Sequence, residues 1–180
     1  MTDNSCALGS PAGGVAAYSR LLAFGLAAGV FLFDRLTKLA VQAWVAEWDT
    51  LTVIPGFCNL IHTENPGAAF SLFAGQASEW RSFLLIVISG GASLLIAALL
   101  WRPGRLGEGR LARTGLSLIL GGAAGNLCDR IFRGAVTDFL ELYAGEFHWP
   151  AFNAADSAIT IGAALILLEM LRSHRAARKA

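Results

Sequence analysis

"GNLCDRIFRGAVTDF", residues 125–139, sets two aspartates and two arginines directly behind "GLSLILGGAAGNL", residues 115–127, a run with no charge at all. An aspartate at the centre of a membrane helix costs roughly 2.5 to 3.5 kcal/mol on insertion scales, so charge at such a depth marks a functional candidate. The cost falls towards an interface. Where this stretch lies in a bilayer therefore decides both the fold and the meaning of its aspartates.

The rest of the chain places it in a membrane. Of 180 residues, 55% are hydrophobic and 15% charged, against about 25% charged in a soluble domain, and mean hydropathy is +0.55. The net charge of +1 offers no basic face for nucleic acid. Cys6, Cys58 and Cys128 stand in separate segments without C-x-x-C spacing, and there are three histidines, so neither a metal nor another cofactor is expected. Cys6 invites a lipidation reading, but no apolar run precedes it. Residues 1–17 read as a flexible cytosolic lead without the form of a cleavable signal.

A helix needs about 20 mostly apolar residues to cross the hydrocarbon core, and four stretches qualify: about 18–45, 80–101, 111–131 and 153–171. The expected fold is an all-α integral membrane protein of four transmembrane helices, one membrane domain over 18–171 followed by a basic cytosolic tail, 172–180. Arg102, Arg105, Arg110 and Arg113 fill the loop between spans two and three, and Arg172, Arg175, Arg178 and Lys179 the tail, whereas 46–79 contains no lysine or arginine. Positive-inside bias thus puts both termini in the cytoplasm and turns 46–79 and 132–152 outward. The first outward segment mixes β-branched and aromatic residues with Pro-Gly turn signals, which predicts a small β-containing segment between helices 1 and 2. Its apolarity predicts that it lies against the outer leaflet as a roof.

With this orientation polar groups from three helices meet at one level: Asp34 and Lys38 on span one, Asn126, Asp129 and Arg130 on span three, Asp156 at the start of span four, with Asp138 in the segment between the last two. Asp34 and Lys38 are four apart, as are Asn126 and Arg130, so each pair can be a plain structural bond on one helix face. Gly121 and Gly125 form a G-x-x-x-G, usually a packing device. Asn153 followed by Asp156 fits an N-cap with a capping box; the same position favours an anionic Asp156, as a catalytic base requires.

Neither H-E-x-x-H nor G-x-S-x-G occurs, which removes the usual metalloprotease and serine-hydrolase signals. A serine-lysine dyad would have to use Lys38, with Ser71 as nucleophile. Two carboxylates suit hydrolysis better. If Asp138 and Asp156 approach closely they share one proton, and the pair supplies base and acid together. Seventeen residues separate them, with Gly145 and Pro150 among these, enough to fold back. Two other readings compete: a proton-coupled transporter or channel module in which Asp34, Asp129, Asp138 and Asp156 relay protons, and a noncatalytic scaffold. No inverted repeat favours the transporter.

"FDRLTK" (33–38), "NPGAAFSLF" (65–73), "GGAAGNLCDR" (121–130), "GAVTDF" (134–139) and "FNAADS" (152–157) together resemble the successive motifs of the lipoprotein signal peptidase (signal peptidase II) family. The resemblance implies a membrane aspartic endopeptidase of the bacterial inner membrane, working beside membrane lipids; nothing in the sequence requires a partner subunit, so a monomer is expected. Its partners would be diacylglyceryl-modified prolipoproteins, cut immediately before the lipidated cysteine near the outer face. It also implies Asp138 and Asp156 as the catalytic pair, Asn126, Arg130 and Asn153 as residues lining that site, and Asp34, Lys38, Asn65, Gly67 and Asp129 as supporting positions.

Overall fold

The computed structural model describes residues 12–47, 49–67, 78–102 and 109–178. Four long helices run alternately up and down: α1 (Ala12–Trp44), α2 (Ser78–Trp101), α3 (Arg110–Arg133) and α4 (Ala154–Ala177). Two of them, over Ser82–Trp101 and Ala154–Ala176, are long and apolar enough to cross a membrane by length and composition. Each helix exceeds the apolar run that announced it. α1 starts at Ala12, inside the stretch expected to be a flexible lead, because a nucleated helix propagates through Ala, Val and Tyr at little cost. α4 continues through "RSHRAA" to Ala177; those residues end the hydrophobic run but are adequate helix formers. Cys6, Ser71 and Arg105 lie outside the described residues.

The fold is not purely helical. A four-stranded antiparallel sheet, in the order β1 (Thr50–Ile54), β2 (Cys58–Asn65), β3 (Val136–Ala144), β4 (Phe147–His148), covers one end of the bundle. Strands were expected only between helices 1 and 2. Half the sheet instead comes from the connection between α3 and α4, which was read as a simple turn back. The expectation failed because β3, "VTDFLELYA", carries acids on both of its faces and lacks a clean alternation, while its partner β2 lies some seventy residues away. Val41 of α1 and Val45 just past its end pack on Phe139 of β3, with Leu60, Leu140 and Ala154 around them, and this cluster fixes the sheet to the helices.

Polarity is distributed inside out. Asp34 and Lys38 of α1 have no exposed surface, while Leu21, Phe33 and Leu36 of the same helix are 73%, 62% and 66% exposed. Small residues make the helix contacts. A Cβ on Gly162 of α4 would lie 2.6 Å from the Gly115 carbonyl oxygen and 2.7 Å from Ile119 Cγ1 of α3, and a Cβ on Gly122 would lie 2.5 Å from the Ala155 carbonyl oxygen. The G-x-x-x-G of α3 is thus a packing device, with Gly121 against Ala27 and Val30 of α1 and Gly125 against the Asp34 carboxylate. At the end away from the sheet, the Arg20 guanidinium sits 5.6 Å above the Trp101 ring.

Gly162→Ala separates two effects. Helix propensity favours alanine by about 1 kcal/mol, but overpacking against backbone costs about 1–3 kcal/mol, and a carbonyl cannot rotate away as a side-chain tip can. We expect a net loss, read as a lower thermal midpoint in detergent. An equal or higher midpoint would show that α3 and α4 separate freely there.

Candidate active site

Two local devices bring Asp138 and Asp156 together, and a third seats an asparagine on Asp138. Gly134 caps α3 in the left-handed region (φ 77°), its N–H donating to the Arg130 carbonyl, so the chain leaves the helix at once and reaches Asp138 four residues later. Phe152 then pairs with β3: its N–H donates to the Leu140 carbonyl at 3.0 Å and its carbonyl accepts from Leu140 N at 2.8 Å. That strap delivers the start of α4 to the side of Asp138. A bulge in β2 between Leu60 and Thr63 brings Thr63 opposite Asp138, and Asn65, two residues on, shares its face.

Asparagine amides surround both acids. Asp138 Oδ1 accepts from Asn153 Nδ2 at 2.7 Å and Oδ2 from Asn65 Nδ2 at 3.0 Å. Asp156 Oδ1 accepts from Asn126 Nδ2 at 2.8 Å and Oδ2 from the Asn153 backbone N–H at 3.3 Å. Asn153 is also the N-cap of α4, its Oδ1 accepting from Asp156 N at 3.0 Å in a complete capping box. The cap and the paired-carboxylate site are therefore one structure, not alternatives. Asn65 is oriented in the same way: its Oδ1 accepts from Gly67 N at 2.9 Å. Gly67 has φ 93°, a left-handed conformation natural only to glycine.

Behind the site lies an ion cluster. Lys38 Nζ is 2.8 Å from Asp34 Oδ2, 2.7 Å from Asp129 Oδ2 and 2.9 Å from Asn126 Oδ1. Arg35 pairs with Asp129, and Asp34 Oδ1 accepts from Ala155 N at 2.9 Å. The i,i+4 reading holds for Asp34 and Lys38. It does not hold for Asn126 and Arg130, whose link runs from the guanidinium to the Asn126 carbonyl at 3.4 Å. Arg130 is half-buried, within electrostatic reach of Asp156, Asp138 and Asp129. Among the described residues the partners of Lys38 are two carboxylates and an amide.

Sequence reasoning passed over Arg35 as a site residue, although it stands in the same charged run as Asp34 and Lys38. It also passed over Thr137 and Glu64, cross-strand neighbours on the face away from Asp138. Thr137 Oγ1 donates to Glu64 Oε1 at 2.9 Å and accepts from Gln42 Nε2 at 2.6 Å. Only strand register reveals them. Among the described residues no group of three or more His, Cys, Asp or Glu is placed to hold a metal ion.

Asp138 is 2% exposed, whereas Asp156 is half-buried and lines a cleft of about 550 Å³ with Leu142, Trp149, Phe152 and Thr160. Burial pushes the Asp138 carboxyl up to about 6, and the Asp156 charge adds to this against the opposing amide bonds from Asn65 and Asn153. The pair is thus asymmetric, one acid enclosed and one facing the cleft.

The fold is a helical bundle with two carboxylates, linked through Asn153, at its sheet-covered end. It resembles, with a TM-score of 0.72 and 28% identity over 83% of this chain and 92% of the other, a bacterial membrane enzyme solved by the in meso method at 1.9 Å. The family model described as signal peptidase (SPase) II matches residues 26–172, and the chain belongs to that family of lipoprotein-processing membrane proteases. It is 50% identical over 158 residues to the lipoprotein signal peptidase of Solibacter usitatus (strain Ellin6076), covering 88% of this chain and 95% of the relative. To that of Paraburkholderia phymatum it is 45% identical over 171 residues, covering 95% and 98%.

The raised Asp138 has a sign that can be measured. Its carboxyl titrates at 3.8 when unfolded and about 6 when folded, so between these values the folded state holds more protons. Stability is then full below the window and declines as pH rises through it, by on the order of 3 kcal/mol. Asp138→Asn abolishes that decline. From about pH 4 to about pH 7 the thermal midpoint of the variant should gain on that of the wild type; a constant difference would refute the assignment.

Proposed function

We propose that this chain is an aspartic endopeptidase that removes signal peptides from diacylglyceryl-modified prolipoproteins, cutting immediately before the lipidated cysteine. The observation that carries the proposal is the convergence of Asp138 and Asp156 on Asn153, which bonds both acids at once. Asp156, at the cleft, takes a proton from water as its oxygen attacks the scissile carbonyl carbon. Asp138, the enclosed acid, gives its proton to the carbonyl oxygen. Collapse of the resulting diol breaks the C–N bond, the leaving nitrogen takes the proton from Asp156, and the hydroxyl returns one to Asp138. The pair ends as it began.

All four helices span the membrane in this reading. α1 and α3 do not pass a simple count of length and hydropathy among the described residues, yet Asp34, Lys38 and Asp129 are fully buried against one another, while α1 presents leucines outward. Arg20, Arg102, Arg110, Arg113, Arg172 and Arg175 gather at the end away from the sheet, which we assign to the cytoplasm with both termini. The site then lies near the outer face of the inner membrane, where a signal helix ends and a diacylglycerol-bearing cysteine is held at the interface. Membrane lipids cover the exposed apolar helix faces. Every site residue comes from one chain, so a monomer suffices.

Purified protein in detergent should cleave a diacylglyceryl-modified precursor and leave the unmodified precursor intact. Equal cleavage of both would contradict the lipid-dependent specificity. Asp138→Asn and Asp156→Asn should each lower turnover by about 10³-fold or more, with precursor binding retained. Near-normal turnover in either would return the aspartates to a scaffolding role.

A further inference from the structure

We infer that Lys38, which has no place on the cleft, is a positioning residue: its buried ammonium locks the Asn126 side-chain amide with the oxygen towards itself and the NH2 towards Asp156. The inference rests on the hydrolytic reading above and assigns a role that the reading leaves open.

An asparagine side chain can face either way, and its two ends make opposite demands. Lys38 Nζ, 2.9 Å from Asn126 Oδ1, carries only donors, so the amide end facing it has to be the oxygen. The second neighbour at that end is also a donor, Asn153 Nδ2 at 3.3 Å. A turned amide would set its NH2 against the ammonium and the Asn153 NH2, and its oxygen against the Asp156 carboxylate, which now accepts from Asn126 Nδ2 at 2.8 Å. Three favourable contacts would become three repulsive ones. Lys38 is itself held by Asp34 and Asp129 at 2.8 and 2.7 Å, and Arg35 on Asp129 completes a neutral set of two acids and two bases. The ammonium has neither room nor reason to move.

The consequence reaches the chemistry through one hydrogen bond. With the NH2 facing it, Asp156 Oδ1 is held as a hydrogen-bond acceptor, the role in which it takes a proton from water. Without the lysine the amide is free to turn, and a turned amide sets its oxygen against that carboxylate.

The test uses Asp34→Asn/Lys38→Met in the full chain. It removes one charge of each sign, so the cluster stays neutral, and the new asparagine keeps an oxygen for Ala155 N. With the diacylglyceryl-modified precursor in detergent, kcat should fall by roughly tenfold or more while KM stays within about twofold. The acidic limb of the kcat/KM profile should move up by about one pH unit. A folded double variant with wild-type kcat and limb overturns the inference, and so does one that loses kcat with the limb unmoved, since packing alone would do that. Asn126→Asp keeps an acceptor for Lys38 and removes the donor to Asp156. Its acidic limb should rise in the same direction, and an unmoved limb there overturns the inference even if the double variant does not fold. A wild-type chain that cleaves no lipidated precursor overturns the functional reading itself, an outcome separate from any of these.

Discussion

A lysine ammonium with no exposed surface, in a bundle whose outer faces are leucine and phenylalanine, exists only because two carboxylates meet it. That constraint ties α1 to α3 through Asp34, Lys38 and Asp129, and Asp34 also ties α1 to the first turn of α4 through Ala155 N. Single burial of any one of these charges would cost several kcal/mol, so the three stand or fall together. Glycine makes the closeness possible: Gly125 leaves space for the Asp34 carboxylate. Once three helices are fixed in this way, the positions of Asn126, Asn153 and Asp156 follow from the helix geometry.

The sheet does for Asp138 what the ion cluster does for Asp156. Val41, Val45 and Phe139 seat β3 on α1, and the pairing of Phe152 with Leu140 holds the cap of α4 beside the strand. Asp138 is enclosed by this arrangement and Asp156 is not. Two chemically identical side chains thereby acquire different environments, and a raised carboxyl of about 6 beside an acid at a helix N-terminus is the physical form that difference takes.

Much of this was legible in the sequence because insertion cost is a local quantity. Aspartates at 34, 129, 138 and 156 stand out in so apolar a chain, and basic residues cluster in segments that can be counted. What was not legible depends on register or on distance along the chain. Arg35 meets Asp129 across 94 residues, β3 pairs with a strand on the far side of two helices, and the Thr137, Glu64 and Gln42 chain exists only because one bulge sets which face of β2 looks which way. Helix ends were misjudged for another reason. Hydropathy reports where a helix leaves lipid-like surroundings, not where its backbone stops hydrogen bonding, so α1 begins earlier and α4 ends later than their apolar runs.

Three asparagines show what this architecture achieves. Each has its amide oxygen held by a group that can only donate: Asn65 by Gly67 N–H, Asn126 by the Lys38 ammonium, Asn153 by Asp156 N–H. Each therefore turns its NH2 to a carboxylate, two of them to Asp138 and one to Asp156. Donors fixed before substrate arrives need no reorganisation when charge moves, which is where an active site gains over water. An asparagine with a free choice of orientation would forfeit that gain, since half its settings oppose the charge. The separate devices of turn glycine, buried lysine and helix cap are thus three physical answers to one demand, that an amide beside an acid show it nitrogen and never oxygen.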